Sequence, residues 1–255
     1  MFPKRMLAPG VFTVLNLFLG FSSVILAANH DFRNNFVLAS WLILLAAIFD
    51  AFDGKIARAT KSYSEFGEEL DSLADVISFG IAPAFLIYQV HFYKMGPVGM
   101  IISFFPLVFG AIRLARFNIT ISGTEKQDFK GLPIPAAAAT LASFILFNAH
   151  FWPETMPDLM LDSLMLPLVI ILSLLMVTTI EFYAMPRFSF SQGRKNSVLL
   201  VILIICFLLL IFFREKFLFP IAISYILNAA VQGLMKMGKD QNDDEEKPEP
   251  VSTAK

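Results

Sequence analysis

Eight apolar runs of bilayer-crossing length follow one another along this chain, and no other feature restricts its fold as much. They are Val11–Ala28, Phe36–Arg58, Gly67–Phe92, Val98–Thr120, Leu132–Ala149, Leu164–Met185, Val198–Phe213 and Phe217–Met235. Each lies near the roughly 20 residues that an α-helix needs to cross a membrane. Hydrocarbon offers no water to satisfy backbone N–H and C=O groups, so such segments are helices. The sequence therefore predicts an all-α, polytopic integral membrane protein with about eight transmembrane helices. Composition agrees, since 56% of the 255 residues are hydrophobic against about 45–50% in soluble domains. This excludes a soluble enzyme held by a single anchor. Lys4 and Arg5 before the first run imitate a secretory leader. Thr13 to Ala28 offers no convincing cleavage site, however, and further spans follow. A net charge of −1 points to no nucleic-acid partner. The single cysteine, Cys206, lies in an apolar run; it permits no intramolecular disulfide and reads as a small buried hydrophobe.

Lys and Arg set the orientation. With the N-terminus in the cytoplasm and the spans alternating, only Arg33, Lys94, Arg214 and Lys216 of the 20 basic residues fall outside. That is the bias expected of cytoplasmic loops. The loop Phe151–Ser163 carries Glu154, Asp158 and Asp162 with no base, and it falls on the outer side. Both termini are thus expected in the cytoplasm, with the chain spanning the inner membrane. Residues 1–236 form one transmembrane domain. The polar, acidic stretch 237–255 reads as a disordered cytoplasmic tail.

Against this apolar background, four aspartates stand at the end of the second run and the start of the third. The spacing is D-x2-D-G-x2-A-R-x8-G-x3-D-x3-D, from Asp50 through Asp53, Gly54, Ala57, Arg58, Gly67 and Asp71 to Asp75. A carboxylate at membrane depth costs about 2.5–3.5 kcal/mol on insertion scales, so four together demand a compensating charge. Asp50 and Asp53 are three apart, and Asp71 and Asp75 four apart, so each pair shares a helix face. A polar turn over Ala59–Phe66 makes the two helices antiparallel neighbours. The pairs then face each other as an oxygen-lined site suited to Mg2+ or Mn2+. Two such ions can clamp the attacking and leaving oxygens of a phosphoryl transfer. Arg58 offers its planar fork to phosphate oxygens, and Ser64, in the turn, a hydroxyl donor. Gly54, Ala57 and Gly67 are small where helices or a ligand must come close. A pyrophosphate site that opens to the cytoplasm beside lipid suggests a lipid nucleotide as substrate.

The spacing resembles the signature of the CDP-alcohol phosphatidyltransferase family, with no departure at its fixed positions. The resemblance implies transfer of a phosphatidyl group from CDP-diacylglycerol to an alcohol, with release of CMP. It implies two divalent cations on Asp50, Asp53, Asp71 and Asp75, and nucleotide or pyrophosphate contacts from Gly54, Arg58 and Ser64. It assigns the general base to Asp75, and it implies a homodimer. Three further stretches resemble the phosphatidylserine synthase branch: Asp71 to Pro83, Arg113-Leu-Ala-Arg116-Phe-Asn118, and Phe129-Lys130-Gly131-Leu132-Pro133-Ile-Pro135. With them the likeness covers roughly residues 5–190. One departure precedes the first span, where Pro9-Gly10 stands in place of a common Pro-Asn pair and Thr13 and Asn16 follow. On this reading the acceptor is L-serine. Arg113, Arg116 and Lys130 fall on the cytoplasmic side, where they can hold its carboxylate, and Asn118 can orient the rest.

Each assignment has a plainer counterpart. The acids suit an ion-translocation path in a cation transporter, although such a path has no need of the fixed glycine and Ala-Arg positions. Arg113 and Arg116 suit snorkelling positive-inside residues, and Lys130 a solvated loop. Asn16 and Asn228 suit helix–helix hydrogen bonds. Gly80 and Pro83 suit a bend in the third span. His30, His91 and His150 have no ligand spacing. A sibling enzyme acting on glycerol 3-phosphate or inositol phosphate calls for a denser basic cluster.

Overall fold

A computed structural model describes residues 7–29, 33–60, 65–122, 131–151, 158–180 and 216–245. The described residues are helical apart from short connections. Helices α1 (Leu7–Ala28) and α2 (Arg33–Thr60) are followed by a third rod in three parts. These are α3 (Glu65–Asp75), a π-helical stretch Val76–Ile81, and α4 (Ala82–Val90). A 3-10 turn, Phe92–Met95, leads into α5 (Gly96–Ser122), and then come α6 (Ile134–Phe151), α7 (Asp158–Val177) and α8 (Leu218–Glu245).

Five helical stretches among the described residues are long and apolar enough to cross a membrane: Gly10–Ala28, Asn34–Gly54, Phe66–Val90, Phe92–Ile119 and Ile134–Phe151. Ser163–Val177 and Leu218–Gly233 are apolar but shorter. The expected span Val198–Phe213 and the end of the sixth lie outside the described residues, as do Cys206 and His30. At the other end of the chain, the tail expected to be disordered from residue 237 is helical as far as Glu245. Adding a residue to an existing helix needs no new nucleus, so α8 runs on past its apolar part. Residues 246–255 lie outside the described residues.

α1 turns its aliphatic and aromatic side chains outward: Val11, Val14, Phe18, Phe21 and Ile25 are exposed, as a lipid-facing surface requires. Its buried face is a seam of small and polar residues, Thr13, Asn16, Gly20, Ser23 and Ala27. The alternating spacing of three and four keeps them on one side of the helix. Small residues let backbones approach where no hydrophobic force drives helices together, and hydroxyls supply the hydrogen bonds. Ser23 Oγ donates to the Ala39 carbonyl of α2 at 3.0 Å. Ser78 Oγ donates to the Asn16 carbonyl of α1 at 2.9 Å. Gly20 sits so near the π-helical stretch that a Cβ there would lie 2.3 Å from Ser78 Oγ and 2.6 Å from Ser78 Cα.

The third rod lies inside. Ser78, Phe79 and Gly80 are buried in the π-helical stretch, and Ala82, Pro83, Ala84, Leu86 and Ile87 in α4. At the junction the Ala82 N–H bonds the Ile77 carbonyl, five residues back, one residue ahead of Pro83, which has no N–H to give. The bend expected at Gly80 and Pro83 is thus a widened turn. Around this rod, α6 contributes Ala137, Ala138, Leu141, Ala142 and Phe144 to one core with Ile43 and Ala46 of α2 and Leu172 of α7.

The connection into α6 is fastened to the end of α7. Gly131 N–H donates to the Ile180 carbonyl at 2.8 Å, and Leu132 N–H to the Leu175 carbonyl at 2.9 Å. Gly131 has φ +83°, and a Cβ there would lie 2.3 Å from the Met176 carbonyl oxygen. Both the dihedral and the space require glycine.

Candidate active site

The end of α2 and the start of the third rod bring three of the four aspartates together. One carboxylate oxygen from each of Asp50, Asp71 and Asp75 lies within 4.8 Å of the others. The four-residue step from Asp71 to Asp75 places both on one face of α3, as the spacing predicts. Asp53 stands one turn beyond Asp50 and takes a different partner: Thr13 Oγ1 of α1 donates to Asp53 Oδ2. Asp53 is only 6% exposed, and its charge still acts on both Asp50 and Asp71. The four acids therefore form one electrostatic group, but only three meet in a single cluster.

Several polar atoms here are buried without a hydrogen-bond partner: Oδ1 of Asp53, Oδ1 of Asp75, both amide atoms of Asn16, and Nε of Arg113. A buried polar group left unpaired costs about 1–3 kcal/mol, and more if charged. Among the described residues, the nearby cation whose charge acts on Asp75 is Arg113 on α5. One guanidinium does not balance three carboxylates. The donor set is all oxygen and acidic, and Oδ1 of both Asp53 and Asp75 is buried without a partner. It fits a hard divalent cation.

The other expected residues are placed unevenly. Arg113 is partly buried behind Asp75, on the side where α5 packs. Arg116, one turn on, donates from Nη1 to the Val177 carbonyl at the end of α7, at 2.9 Å. Asn118 Nδ2 donates to Ser72 Oγ at 3.1 Å, and Ser72 follows Asp71 directly in α3. Arg113 and Asn118 thus border the acid cluster, whereas Arg116 ties α5 to α7 and, through α7, to the Gly131 connection. Gly54 is exposed in the last turns of α2. Arg58 lies on α2, within Arg33–Thr60. Ser64 and Lys130 lie outside the described residues.

Three residues gain a role that the acid spacing did not announce. Thr13 holds Asp53, Ser72 receives Asn118, and Ser78 fastens α1 to the third rod. For Thr13 the signal was available in the three-and-four spacing of polar and small residues along α1. For Ser72 and Ser78 there was none beyond their nearness to Asp71 and Asp75. Of the plainer expectations, Asn228 does bond a neighbour, but on its own helix, accepting from Gln232 Nε2 at 2.9 Å. His91 is buried at the far end of the rod, its ring edge-on to Phe92.

Fold and site together define an all-helical membrane protein with a cluster of acidic oxygens where two spans meet at one end of the bundle. The chain belongs to the CDP-alcohol phosphatidyltransferase family, whose model matches residues 6–175. A CDP-diacylglycerol–serine O-phosphatidyltransferase from Helicobacter pylori is 39% identical over 210 residues, 82% of either chain. One of the same name from Methanocaldococcus jannaschii is 37% identical over 176 residues, 69% of this chain and 73% of its own. An archaetidylserine synthase from Methanothermobacter thermautotrophicus is 35% identical over 68% of both chains.

Proposed function

We propose that this protein transfers the phosphatidyl group of CDP-diacylglycerol to the hydroxyl of L-serine, giving phosphatidylserine and CMP. The observation that carries this reading is the meeting of Asp50, Asp71 and Asp75 within 4.8 Å, in a chain of this family. Relatives named for serine transfer over four fifths of the sequence support the choice of acceptor.

Asp50, Asp53, Asp71 and Asp75 would hold two divalent ions, Mg2+ or Mn2+. When bound, these supply charge neutralisation for a diphosphate and for the oxygens that attack and leave. The protein's own groups do the rest. Asp75 accepts the proton of the serine hydroxyl. The freed oxygen attacks the phosphorus that bears diacylglycerol, and the bond from that phosphorus to the CMP oxygen breaks. Gly54, Arg58 and Ser64 hold the nucleotide and its pyrophosphate, Arg58 through paired N–H donors. Arg113, partly buried beside Asp75, takes the serine carboxylate and brings the hydroxyl toward the base. Asn118 and Lys130 complete the acceptor side. Arg116 serves it from the α5–α7 junction. The site opens to the cytoplasm, the chain sits in the inner membrane, and two copies form the working unit.

The test is an assay of purified protein with CDP-diacylglycerol, Mn2+ or Mg2+, and either labelled serine or labelled glycerol 3-phosphate. Serine-dependent CMP release with label entering lipid is the expected outcome. CMP release that answers only to glycerol 3-phosphate defeats the serine assignment. Metal-dependent ion flux in proteoliposomes with no CMP release defeats the transferase reading altogether.

A further inference from the structure

Asn16 is fully buried on the inner face of α1, and neither atom of its amide finds a hydrogen-bond partner. Its side chain is near enough to bond the Asp75 carboxylate, yet the pair falls short of full hydrogen-bond geometry, and Asp75 Oδ1 is likewise buried and without a partner. The backbone of Asn16 is not loose. Its carbonyl is held by Ser78 Oγ at 2.9 Å, three residues beyond Asp75 on the same rod. One turn further along α1, Gly20 presses against Ser78 with no room for a Cβ. An orphan amide has therefore been fixed beside an orphan carboxylate oxygen, where water has no access to either.

We propose that Asn16 is the positioning residue of Asp75: its amide Nδ2 donates to Asp75 Oδ1 and sets the plane of that carboxylate for a bound divalent cation. An ionised carboxylate only accepts, so the amide nitrogen must face it. Arg113 is the other donor near Asp75, but it brings a positive charge that opposes a cation. Asn16 supplies a donor and leaves the negative charge intact. The arrangement is that of a ligating carboxylate held by an outer hydrogen bond, a kind of partner whose loss weakens metal affinity or activity about 10–100-fold. This inference rests on Asp75 being an ion ligand, as in the proposed function, but it does not depend on which alcohol is the acceptor.

The experiment uses the purified full chain in detergent, with Mn2+ as the probe and no CDP-diacylglycerol or serine present. Binding is read by calorimetry or by electron paramagnetic resonance. Asn16→Leu, similar in volume and unable to hydrogen-bond, is expected to weaken Mn2+ binding by about 10–100-fold. Melting of each variant is measured in parallel, since a purely packing role would lower Mn2+ affinity only together with a comparable loss of stability. In an Asp75→Ala background the same substitution should alter Mn2+ affinity by less than about twofold, because its effect passes through Asp75. Asn16→Ala gives the same comparison if the leucine does not fold. Mn2+ affinity unchanged in either variant overturns the proposal, and so does an equal loss with and without Asp75. If Asp75→Ala alone leaves Mn2+ affinity unchanged, the role of Asp75 as a ligand falls and this inference with it. A failure confined to serine-dependent CMP release would count only against the transfer reading.

Discussion

Replacing Gly20 with alanine is expected to cripple the site from a position that touches no acid. The added Cβ would stand 2.3 Å from Ser78 Oγ and 2.6 Å from Ser78 Cα. Ser78 can rotate its hydroxyl away, at the cost of its bond to the Asn16 carbonyl. The Cα cannot move aside. An ordinary contact begins at 3.4 Å, so α1 must retreat from the third rod by about 0.8 Å. A radial gap of about 0.5–1 Å forfeits a quarter to a half of the dispersion energy at each contact it opens. Overpacking of this kind costs about 1–3 kcal/mol in stability. The functional cost is larger, because Thr13 and Asn16 ride on the same face of α1 and retreat from Asp53 and Asp75 with it. A misplacement of about 1 Å can lower turnover by 10²-fold. The assay is CMP release at saturating CDP-diacylglycerol and serine, with melting of the purified variant measured in parallel. A second arm, Gly20→Ala with Ser78→Gly, removes the side-chain clash but keeps the one with Cα, so it should recover only part of the loss. If Gly20→Ala melts like the parent and turns over within about twofold of it, the close approach is not what sets the site.

Three other outcomes are expected. Asp75→Asn should abolish turnover while CDP-diacylglycerol still binds, since a base is lost and the other carboxylates stay; near-normal CMP release would remove Asp75 from its role. Gly131→Ala should lower the melting temperature by an amount equivalent to about 1–3 kcal/mol, since it places strain at φ +83° and a Cβ on the Met176 carbonyl; an unchanged melt would contradict the fit of that connection. Arg113→Gln should raise the serine KM at least about tenfold and leave the CDP-diacylglycerol KM nearly unchanged, as loss of one charge-assisted pair predicts; equal changes in both would place Arg113 elsewhere.

The acid cluster was the most legible part of this molecule. Charged groups at membrane depth are costly enough to stand out, and Asp71 and Asp75, four apart, share a face and meet Asp50 as expected. Asp53 departs because its partner, Thr13, is 40 residues away, and local periodicity carries no information at that range. The apolar runs that fall among the described residues announced helices correctly for the same reason that hydropathy works in general: lipid allows little else. They blurred at the ends. α8 continues into a charged stretch because helix propagation does not consult hydropathy. The π-helical stretch over Val76–Ile81 had no signal of its own, since its composition is that of any buried span. Arg116 was read as a ligand from its chemistry and its side of the membrane, and its hold on the Val177 carbonyl depends on tertiary placement of α7, which no motif encodes.

The widened turn after Asp75 has a bearing on how such a site can change without collapsing. Each residue advances an α-helix by about 100°, and a π-helical turn lodges one extra residue without breaking the rod. The rod is in effect two wheels on one axle. One carries Asp71 and Asp75, the other Leu86 and Ile87, and the widened turn Val76–Ile81 lies between them. A single residue removed from Val76–Ile81 would be taken up first by that turn, which can tighten to α-helical spacing before either wheel has to rotate. The aim of the acids and the fit of the interior can thereby tolerate change apart from each other, through one turn that carries none of the acids.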